Sequence, residues 1–396
     1  MRERVICVMA RMLDQDDGLY VYAHHLLEQL LELDSASRYL IVLPSEKRAR
    51  QFDRFPNADV RVAPAPKTLW DQVVVPLVAW RAGADLIFNP KFSLPLLWTR
   101  PAAFVLQGSD WYVNPQNYPW WDNVYIRLAM PFYLRKADRV LAISRTVIDD
   151  LSPHMRLDRS KTVISYAAPG PSFTTRRDER SLARFREAYA LPERFILTVA
   201  RSYHTGHGRL PEYPGGNNER LIQGYGLYRE RGGRLPLVVA GRRIEAYLRA
   251  HGCQDRELEG VVFIGFVPYE SMHLLYQLAE FFVLATLNES FGFPVVEAMA
   301  CGCPVIAPST GACYEIGGPA IRLIDPFDPE SIAGALLELD RSPECRSAMS
   351  RAGVDAVSRF SWKETARRTL AVFDALVPPP VPVARASEVP QAQVRQ

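Results

Sequence analysis

Two glutamates eight positions apart flank a turn whose residue types suit a phosphate. Glu289 and Glu297 bracket Ser-Phe-Gly-Phe-Pro, between the apolar run 281–285 and an apolar helical run. Pro294 suits a first helical turn, and Gly292 lets a ligand approach the backbone closely. The free N–H groups and the positive end of the helix then favour a bound phosphate. A phosphate seat beside two carboxylates that accept hydrogen bonds from hydroxyls is what a nucleotide-sugar requires.

This segment resembles the E-x7-E motif of the retaining nucleotide-sugar glycosyltransferases of family 4, also called group 1. Other stretches resemble the same family in the same order, and together they cover roughly residues 4–376. Taken alone, Glu289 and Glu297 would equally be two solvated carboxylates at a helix start. The order and spacing of the other stretches favour the family. These stretches are 108–111, 135–144, 297–308, 309–318, 325–329 and 360–362.

Length and composition indicate a globular chain of two domains. The 396 residues exceed one ordinary core, and a hydrophobic share of 48% excludes wholesale disorder. The net charge of +3 is near neutral and argues neither for nor against nucleic acid. No long basic run appears, and no nucleic-acid partner is expected. Six cysteines in a chain of this length do not form a disulfide framework. Cys301, Cys303 and Cys313 lack zinc-site spacing, so we interpret them as small buried residues and expect no metal.

Two sequence features bear on where a protein is located, a targeting segment and a membrane-spanning segment, and the sequence predicts neither. Residues 1–7 lead straight into an apolar strand without signal-peptide architecture. The longest apolar runs, such as 73–80, are far shorter than the ~20 residues that span a bilayer. A soluble cytoplasmic protein is therefore expected, with peripheral contact at the inner face of the membrane left open.

Short apolar strands alternate with amphipathic helices, which predicts an α/β fold of parallel sheets covered on both faces. Ligands are then expected beyond the carboxyl ends of the strands. The predicted strands span 4–10, 38–44, 59–63, 84–89, 102–107, 138–143, 162–166, 195–200, 236–240, 261–265, 281–286, 304–308 and 321–324. The predicted helices span about 19–34, 69–82, 121–136, 217–231, 269–279, 294–301, 329–341 and 361–376.

The resemblance implies the GT-B architecture, in which two Rossmann-like doubly wound domains face each other across a cleft. We expect an acceptor-side domain over 1–180 and a nucleotide-sugar donor domain over 181–360. By the same resemblance, a helix over 361–376 crosses back to the first domain. Residues 377–396 are rich in Pro, Val and polar residues without periodicity, which predicts a disordered tail.

The resemblance also assigns donor contacts in the second half. Glu297 would bind the ribose hydroxyls, and Glu289 would bind a hydroxyl of the donor sugar. Phe291, Gly292 and Phe293 would offer backbone N–H groups to the sugar and the phosphate.

Three further positions complete the implied donor site. Arg201 would contact the diphosphate, where a cation is needed because the leaving nucleoside diphosphate develops negative charge. The family needs no metal for this purpose. Backbone atoms near Val267 would read the base. Gly18, in the loop that opens the first helix, is a further candidate for contact with the donor.

Four positions depart from the family pattern, and one of them, Tyr314, where proline is usual, lies further from the chemistry. Gly216 stands where a lysine usually supplies a second cation. Gln107 stands where a histidine is common, and glutamine forms hydrogen bonds without carrying charge. Tyr20 stands where a small residue is usual, so it would crowd the cleft or stack on an acceptor ring. Candidates to supply the missing charge lie in the loop before Gly216, at His204, His207 and Arg209.

The segment 111–136 is densely aromatic, and three interpretations of it are open. Its rings can stack on a sugar acceptor, touch a membrane that carries a lipid-linked acceptor, or pack in the core. Core packing is favoured because aromatic residues dominate cores. Asp110, just before the segment, is either a hydrogen-bond partner of the acceptor or a turn residue.

The residues and the resemblance together predict a retaining hexosyltransferase, with GDP-mannose as the preferred donor and a glycan or lipid-linked saccharide as acceptor. The nucleotide-sugar is a substrate, so no cofactor is expected. By resemblance, the donor phosphate assists the attack and no protein nucleophile is needed. Gly216, Gln107 and Tyr20 keep open a second class, a glycosyltransferase-like binding or scaffold subunit with little catalysis. An epimerase of the same architecture is disfavoured by the E-x7-E segment.

Overall fold

The chain folds into two parallel β-sheets, one in each half. The computed structural model describes residues 3–15, 17–200 and 216–379. The strands of the first sheet are β1 (Arg4–Met9), β2 (Ser37–Leu43), β3 (Ala58–Val62), β4 (Leu86–Asn89), β5 (Ala102–Leu106), β6 (Arg139–Ala142) and β7 (Thr162–Ile164). The strands of the second sheet are β8 (Ile196–Val199), β9 (Leu237–Ala240), β10 (Val261–Gly265), β11 (Phe281–Val283), β12 (Val305–Pro308) and β13 (Arg322–Ile324).

Helices connect the strands and cover the sheets. Those of the first half are α1 (Gly18–Leu33), α2 (Lys67–Leu69), α3 (Val75–Arg81), α4 (Asp110–Val113), α5 (Trp120–Lys136) and α6 (Arg145–Leu151). Those that follow are α7 (Glu179–Ala188), α8 (Asn218–Glu230), α9 (Ile244–Ala250), α10 (Met272–Leu278), α11 (Phe293–Ala300), α12 (Cys313–Gly317), α13 (Pro329–Arg341), α14 (Pro343–Val357) and α15 (Trp362–Leu376).

Both sheets are doubly wound, which confirms the predicted fold class. The orders are β3-β2-β1-β4-β5-β6-β7 and β10-β9-β8-β11-β12-β13, and every pairing is parallel. Every residue of β1 and β5 is buried. Strands covered on both faces read as continuous apolar runs, which is why the predicted strands match the observed ones to within a few residues.

The helical stretch predicted over 69–82 is confirmed, but it is not one regular α-helix. A π-helical turn, Trp70–Val74, separates α2 from α3. Pro76 lies in the first turn of α3 and has no N–H to donate to the preceding turn. A proline in this position removes a regular helical hydrogen bond, and a π-turn accommodates the gap.

Four described helices of seven residues or more were missed by the sequence pattern, namely α6, α7, α9 and α14. The longest of them, α14, buries only Gly353 and Val357. A helix that lies on the surface with so narrow a buried face shows almost no apolar periodicity. The miss therefore reflects packing that requires few apolar side chains.

Each sheet has a switch point where the strand order reverses, between β1 and β4 in the first and between β8 and β11 in the second. Doubly wound sheets bind ligands in the crevice beyond the carboxyl ends of such strands. The loop after β11 carries Glu289, so the candidate site lies at the second switch point.

The last described helix, α15, packs on the first half of the chain. The Phe373 ring lies 5.0 Å from the Phe88 ring, centroid to centroid. Arg4 of β1 donates from Nη1 to the Asp374 carboxylate at 2.6 Å and from Nη2 to Asp34 at 2.9 Å. Arg4 is buried, and a buried charge is tolerated when it is paired in this way. Of the predicted tail, residues 380–396 lie outside the described residues.

Candidate active site

The loop between β11 and α11 turns sharply at Gly292, which caps α11 with φ 85°. This left-handed conformation favours glycine. Within the described residues, the N–H groups of Phe291, Gly292 and Phe293 donate to no backbone carbonyl. These are the three residues predicted to offer N–H groups. A helix start with unsatisfied N–H groups is able to hold a phosphate or a sugar oxygen.

Glu289 is held by the neighbouring turn at Gly311. The Glu289 carbonyl accepts a hydrogen bond from the Ala312 N–H at 2.7 Å. A Cβ on Gly311 would lie 2.5 Å from the Glu289 backbone N and O, so only glycine fits there. This close approach fixes the backbone that carries the Glu289 side chain.

Polar atoms without a partner surround Glu289. Thr286 Oγ1, Asn288 Nδ2 and Thr310 Oγ1 are buried and make no hydrogen bond with any described residue. Buried polar groups are almost always satisfied. These three atoms are therefore available to the hydroxyls of a bound sugar.

Glu297 lies inside the second half, on α11, with 5% of its surface exposed. The Tyr276 hydroxyl donates to Glu297 Oε2 at 3.4 Å. Burial raises the pKa of Tyr269 and of Tyr276, and the Glu297 carboxylate raises both further. Both tyrosines thus remain protonated near the carboxylate. Val267, predicted to lie near the base, is buried and precedes Tyr269 by two residues.

The two halves meet at the site loop. Ser144 Oγ donates to the Ser290 carbonyl at 2.6 Å, and a Cβ on Gly108 would lie 3.0 Å from Ser290 Oγ. Gln107, next to Gly108, donates from Nε2 to the Pro90 carbonyl at 2.8 Å. The structure therefore brings the Gln107 loop beside the Glu289 loop, with the Gln107 amide turned to its own half.

A second contact between the halves involves Glu315 of α12. Its carboxylate accepts hydrogen bonds from the Arg145 N–H at 2.7 Å, the Thr146 N–H at 2.9 Å and the Thr146 hydroxyl at 2.8 Å. The Tyr166 hydroxyl donates to it at 2.8 Å. Burial alone would raise the pKa of Glu315, but these hydrogen bonds outweigh burial and lower it. The charged form is therefore stabilised, and it joins the second half to the start of α6.

Gly216 lies beside the site loop through its neighbour Asn217. Asn217 Nδ2 donates to the Ala285 carbonyl at 2.7 Å and to the Pro326 carbonyl at 2.6 Å. Ala285 is two residues beyond β11, so the start of α8 borders the loop of Glu289. Arg201, His204, His207 and Arg209 lie outside the described residues.

The two candidates on α1, Gly18 and Tyr20, lie far from the E-x7-E loop in the sequence. Gly18 is the first residue of α1, where the Asp17 carboxylate accepts from the Leu19 and Tyr20 N–H groups. The Tyr20 ring carries the Arg48 guanidinium at 3.7 Å and stacks on the His24 ring. The predicted stacking face of Tyr20 is therefore already in use.

Asp110 forms hydrogen bonds with nearby residues of its own turn. Its two carboxylate oxygens accept from Asn114 Nδ2 at 2.7 Å and from the Tyr118 hydroxyl at 2.9 Å. The turn interpretation is thus the one that its contacts support. The favoured core-packing interpretation of 111–136 holds for Tyr112 and Tyr133, which are buried, but was wrong for Trp120, which is 72% exposed.

One group in the described residues has the composition of a metal site, although none was expected. His24, His25 and Glu28 on α1 offer ligand atoms within 4.8 Å of one another. Arg54 donates to Glu28 Oε1 at 2.6 Å. An arginine on the carboxylate already satisfies its charge, so the arrangement favours an ion pair over a bound cation.

The chain is similar to known proteins both in sequence and in structure. Residues 208–355 match the family model "Glycosyl transferases group 1". The resemblance to the group 1 glycosyl transferases is confirmed. The HepE structure from Anabaena in complex with UDP and glucose superposes with a TM-score of 0.71 at 16% identity, over 94% of this chain and 100% of that one. This likeness shows the GT-B fold.

The curated proteins that are similar to this chain include mannosyltransferases. O-antigen chain mannosyltransferase B from Escherichia coli is 30% identical over 41% of this chain and 44% of its own length. O-antigen chain mannosyltransferase RfbU from Salmonella typhimurium is 24% identical over 63% of this chain and 62% of its own length. The match thus spans less than two thirds of each of these relatives.

Two residues of this candidate site were missed by the sequence reasoning. Glu315 was seen only as part of a matching stretch, and Asn217 was passed over beside Gly216. The partners of Glu315 lie about 170 positions away in the chain. No local pattern signals such a contact, whereas an Asn at a helix start is a local signal that was available for Asn217.

Proposed function

We propose that this protein is a metal-independent retaining hexosyltransferase of family 4 that transfers a mannosyl group from GDP-mannose to a glycan or a lipid-linked saccharide. The observation that carries the proposal is the loop from Glu289 to Glu297. It forms a helix start with unsatisfied N–H groups at the second switch point, and it faces the first half across Ser144. The mannosyl group is chosen because the relatives are named as mannosyltransferases.

The contacts of the site supply a role for each part of the donor. The N–H groups of Gly292 and Phe293 would receive the diphosphate, whose charge grows as it leaves. The unpartnered polar atoms near Glu289 would bind sugar hydroxyls, and Glu297 would bind the ribose. Removing a hydroxyl partner from such a site leaves buried polar atoms unpaired, which is how a site of this kind selects its sugar.

The first test is a donor screen. The purified protein should hydrolyse GDP-mannose faster than GDP-, UDP- and ADP-linked glucose, because the buried polar atoms around Glu289 would fit one arrangement of hydroxyls best. Turnover should persist in excess EDTA, since side chains and helix N–H groups supply the stabilisation. Proton NMR of the transferred sugar should show the α-anomer of the donor retained.

Other outcomes of the screen decide between the alternatives. Preference for UDP-sugars would refute GDP-mannose and keep the transferase. Binding of a nucleotide without turnover of any sugar would favour the scaffold subunit. Loss of turnover in EDTA would contradict metal independence.

We also propose that the protein works at the inner face of a membrane, where a lipid-linked acceptor is held. Among the described helices, none combines the length and apolar content needed to cross a bilayer. Most of the exposed large hydrophobic side chains nevertheless lie between residues 69 and 132, and together we term them the apolar face. Its members are Leu69, Val73, Leu77, Trp80, Leu96, Leu97, Val113, Trp120, Trp121, Val124, Leu128 and Phe132.

The apolar face follows helical spacing and carries positive charge at its edge. On α5, Trp120, Val124, Leu128 and Phe132 recur every four residues, which places them on one side of the helix. Lys67 Nζ lies 5.4 Å from the Tyr125 ring, so α2 and α5 are neighbours. Helix α5 carries three basic residues, Arg127, Arg135 and Lys136, and one acidic residue, Asp122. Apolar side chains beside basic ones suit an anionic lipid surface.

Vesicle sedimentation tests the membrane contact. The protein should bind vesicles that contain phosphatidylglycerol more strongly than vesicles of phosphatidylcholine alone, and the excess should fall with added salt. Phe132→Asp should weaken binding by about tenfold or more, because it removes an aromatic side chain that would be buried in the lipid and adds a negative charge. Phe327→Asp is the matched control, since Phe327 is equally exposed but lies in the second half. Equal losses in both variants, or no vesicle binding, would refute the contact.

A further inference from the structure

Three basic side chains meet beyond the carboxyl ends of the first sheet, and the donor site does not use them. Arg11 lies two residues after β1, and Lys91 lies two residues after β4. These two strands flank the switch point of the first sheet. Lys67 is the first residue of α2, in the connection that follows β3. We term Arg11, Lys67 and Lys91 the cation cluster.

Hydrogen bonds link the three segments that carry these cations. Arg11 Nη1 donates to the Ala65 carbonyl at 3.3 Å, two residues before Lys67. Asp71, one helical turn after Lys67, accepts from Ser93 Oγ at 3.1 Å. Lys91 lies two residues before Ser93, and its N–H donates to Asn89 Oδ1 at 3.0 Å. The loops after β1 and β4 and the segment that carries Lys67 therefore pack together around Asp71.

The charges in this arrangement do not balance. Asp71 is buried and already accepts from Ser93. Asp17, the other carboxylate that acts on Lys91, accepts from the first N–H groups of α1. Within the described residues, neither Lys67 nor Lys91 forms an ion pair with a carboxylate. Three cations thus face two carboxylates that have other partners.

The surroundings of Lys91 bear on its charge. Burial lowers the pKa of Lys91 to about 8, and Lys67 and Arg11 lower it while Asp17 and Asp71 raise it. At neutral pH the ammonium remains mostly protonated among other cations. Lys91 is half-buried and has no carboxylate partner in an ion pair among the described residues, so an anion that binds from outside would satisfy its charge.

We propose that the cation cluster is a binding subsite for a phosphate group of the acceptor, at the switch point of the first sheet. That the phosphate belongs to an acceptor rests on the proposed transfer reaction, whereas the binding of a phosphate at this cluster does not. The phosphate belongs either to a soluble sugar phosphate or to a lipid phosphate that enters from the apolar face. Lys67 adjoins that face through Tyr125, so a lipid-borne phosphate has a direct approach to the cluster.

Calorimetry tests the subsite with inorganic phosphate as the probe. The titration is carried out with the donor site saturated by the nucleoside diphosphate that binds best in the donor screen. Lys91→Gln and Lys67→Gln should each weaken phosphate binding about tenfold, the loss of one charge-assisted hydrogen bond. Arg61→Gln is the matched control, because Arg61 is an exposed cation on β3 of the same sheet. Nucleotide binding should remain unchanged in all three variants.

The pH profile separates a direct contact from a structural role. Phosphate affinity of the unaltered protein should fall above pH about 8, where Lys91 loses its proton. The fall should be absent in Lys91→Gln. A variant that only disturbed the fold would shift the whole profile without changing its shape. Lys67→Gln, at an exposed position, keeps the test available if Lys91→Gln does not fold.

Two further titrations identify the source of the phosphate. A hexose 1-phosphate that binds tighter than inorganic phosphate would assign a soluble sugar phosphate, and hexyl phosphate that binds tighter would assign a lipid phosphate. Either result supports the subsite. Phosphate affinity that is unchanged in both lysine variants, or lowered equally by Arg61→Gln, overturns it. A failed donor screen with intact phosphate binding would refute the transferase and leave the subsite standing.

Discussion

Replacing Glu297 with alanine should weaken binding of the free nucleoside diphosphate about ten- to a hundredfold. A charge-assisted hydrogen bond contributes roughly 1.5–3 kcal/mol, which corresponds to that range in affinity. The loss should appear both with the free nucleotide and with the nucleotide-sugar, because the ribose is common to them. Calorimetry with the two ligands measures it.

The control is the other glutamate of the pair. Glu289→Ala should leave binding of the free nucleotide nearly unchanged and weaken only the sugar-bearing donor, since Glu289 lies among unpartnered hydroxyl and amide groups rather than inside α11. Glu297 is buried beside Tyr276, so Glu297→Gln, which keeps the shape, guards against a loss caused by misfolding. Equal losses for both residues on both ligands would show that the assignment of roles is wrong.

Replacing Glu315 with alanine should loosen the contact between the two halves. The substitution removes four hydrogen bonds from a charged acceptor, three of them to the start of α6. The site is partly exposed, so solvent compensates some of the loss, and we expect a cost of about 2–3 kcal/mol in the free energy of unfolding. Differential scanning calorimetry should show a lower melting temperature, by roughly 2–4 °C.

The effect of Glu315 should depend on pH in one direction. Its pKa in the folded protein is lowered, so its contribution is fully present above the pKa of about 4.3 that an unfolded glutamate has. The contribution is lost as the pH falls through the lower folded pKa. The difference in melting temperature between the unaltered protein and Glu315→Ala should therefore shrink below about pH 4.

Tyr166→Phe provides the graded comparison for Glu315. It removes one of the four donors and leaves the carboxylate and the α6 contacts in place. Its cost should be a fraction of that of Glu315→Ala. If the two variants melt at the same temperature, the carboxylate does not join the halves in the way that the hydrogen bonds indicate.

The sequence predicted those parts of the site that follow one another in the chain. The strand before Glu289, the turn at Gly292 and the helix that carries Glu297 are adjacent segments with strong local signals. The turn requires positive φ, which favours glycine at position 292, and α11 requires apolar side chains. The residue types in this short segment indicate both. Contacts that join distant segments, such as that between Glu315 and Arg145, had no such signal.

The aromatic segment shows where local signals mislead. Composition favoured core packing for 111–136, but α5 buries Ile126, Met130 and Tyr133 and exposes Trp120 and Phe132. Both faces of this helix are apolar, so periodicity could not tell the inner face from the outer one. Only the packing of the helix against its neighbours decides that question.

The sequence by itself determined the parallel sheets covered on both faces and the resemblance to the group 1 glycosyl transferases, because buried strands must be apolar and the motif residues must stand in a fixed order. The tertiary structure alone decided how the two halves meet, since Ser144, Ser290 and Glu315 are far apart in the chain. It also decided that Arg11, Lys67 and Lys91 converge. Strand order places the ends of β1 and β4 side by side, and the sequence does not state strand order.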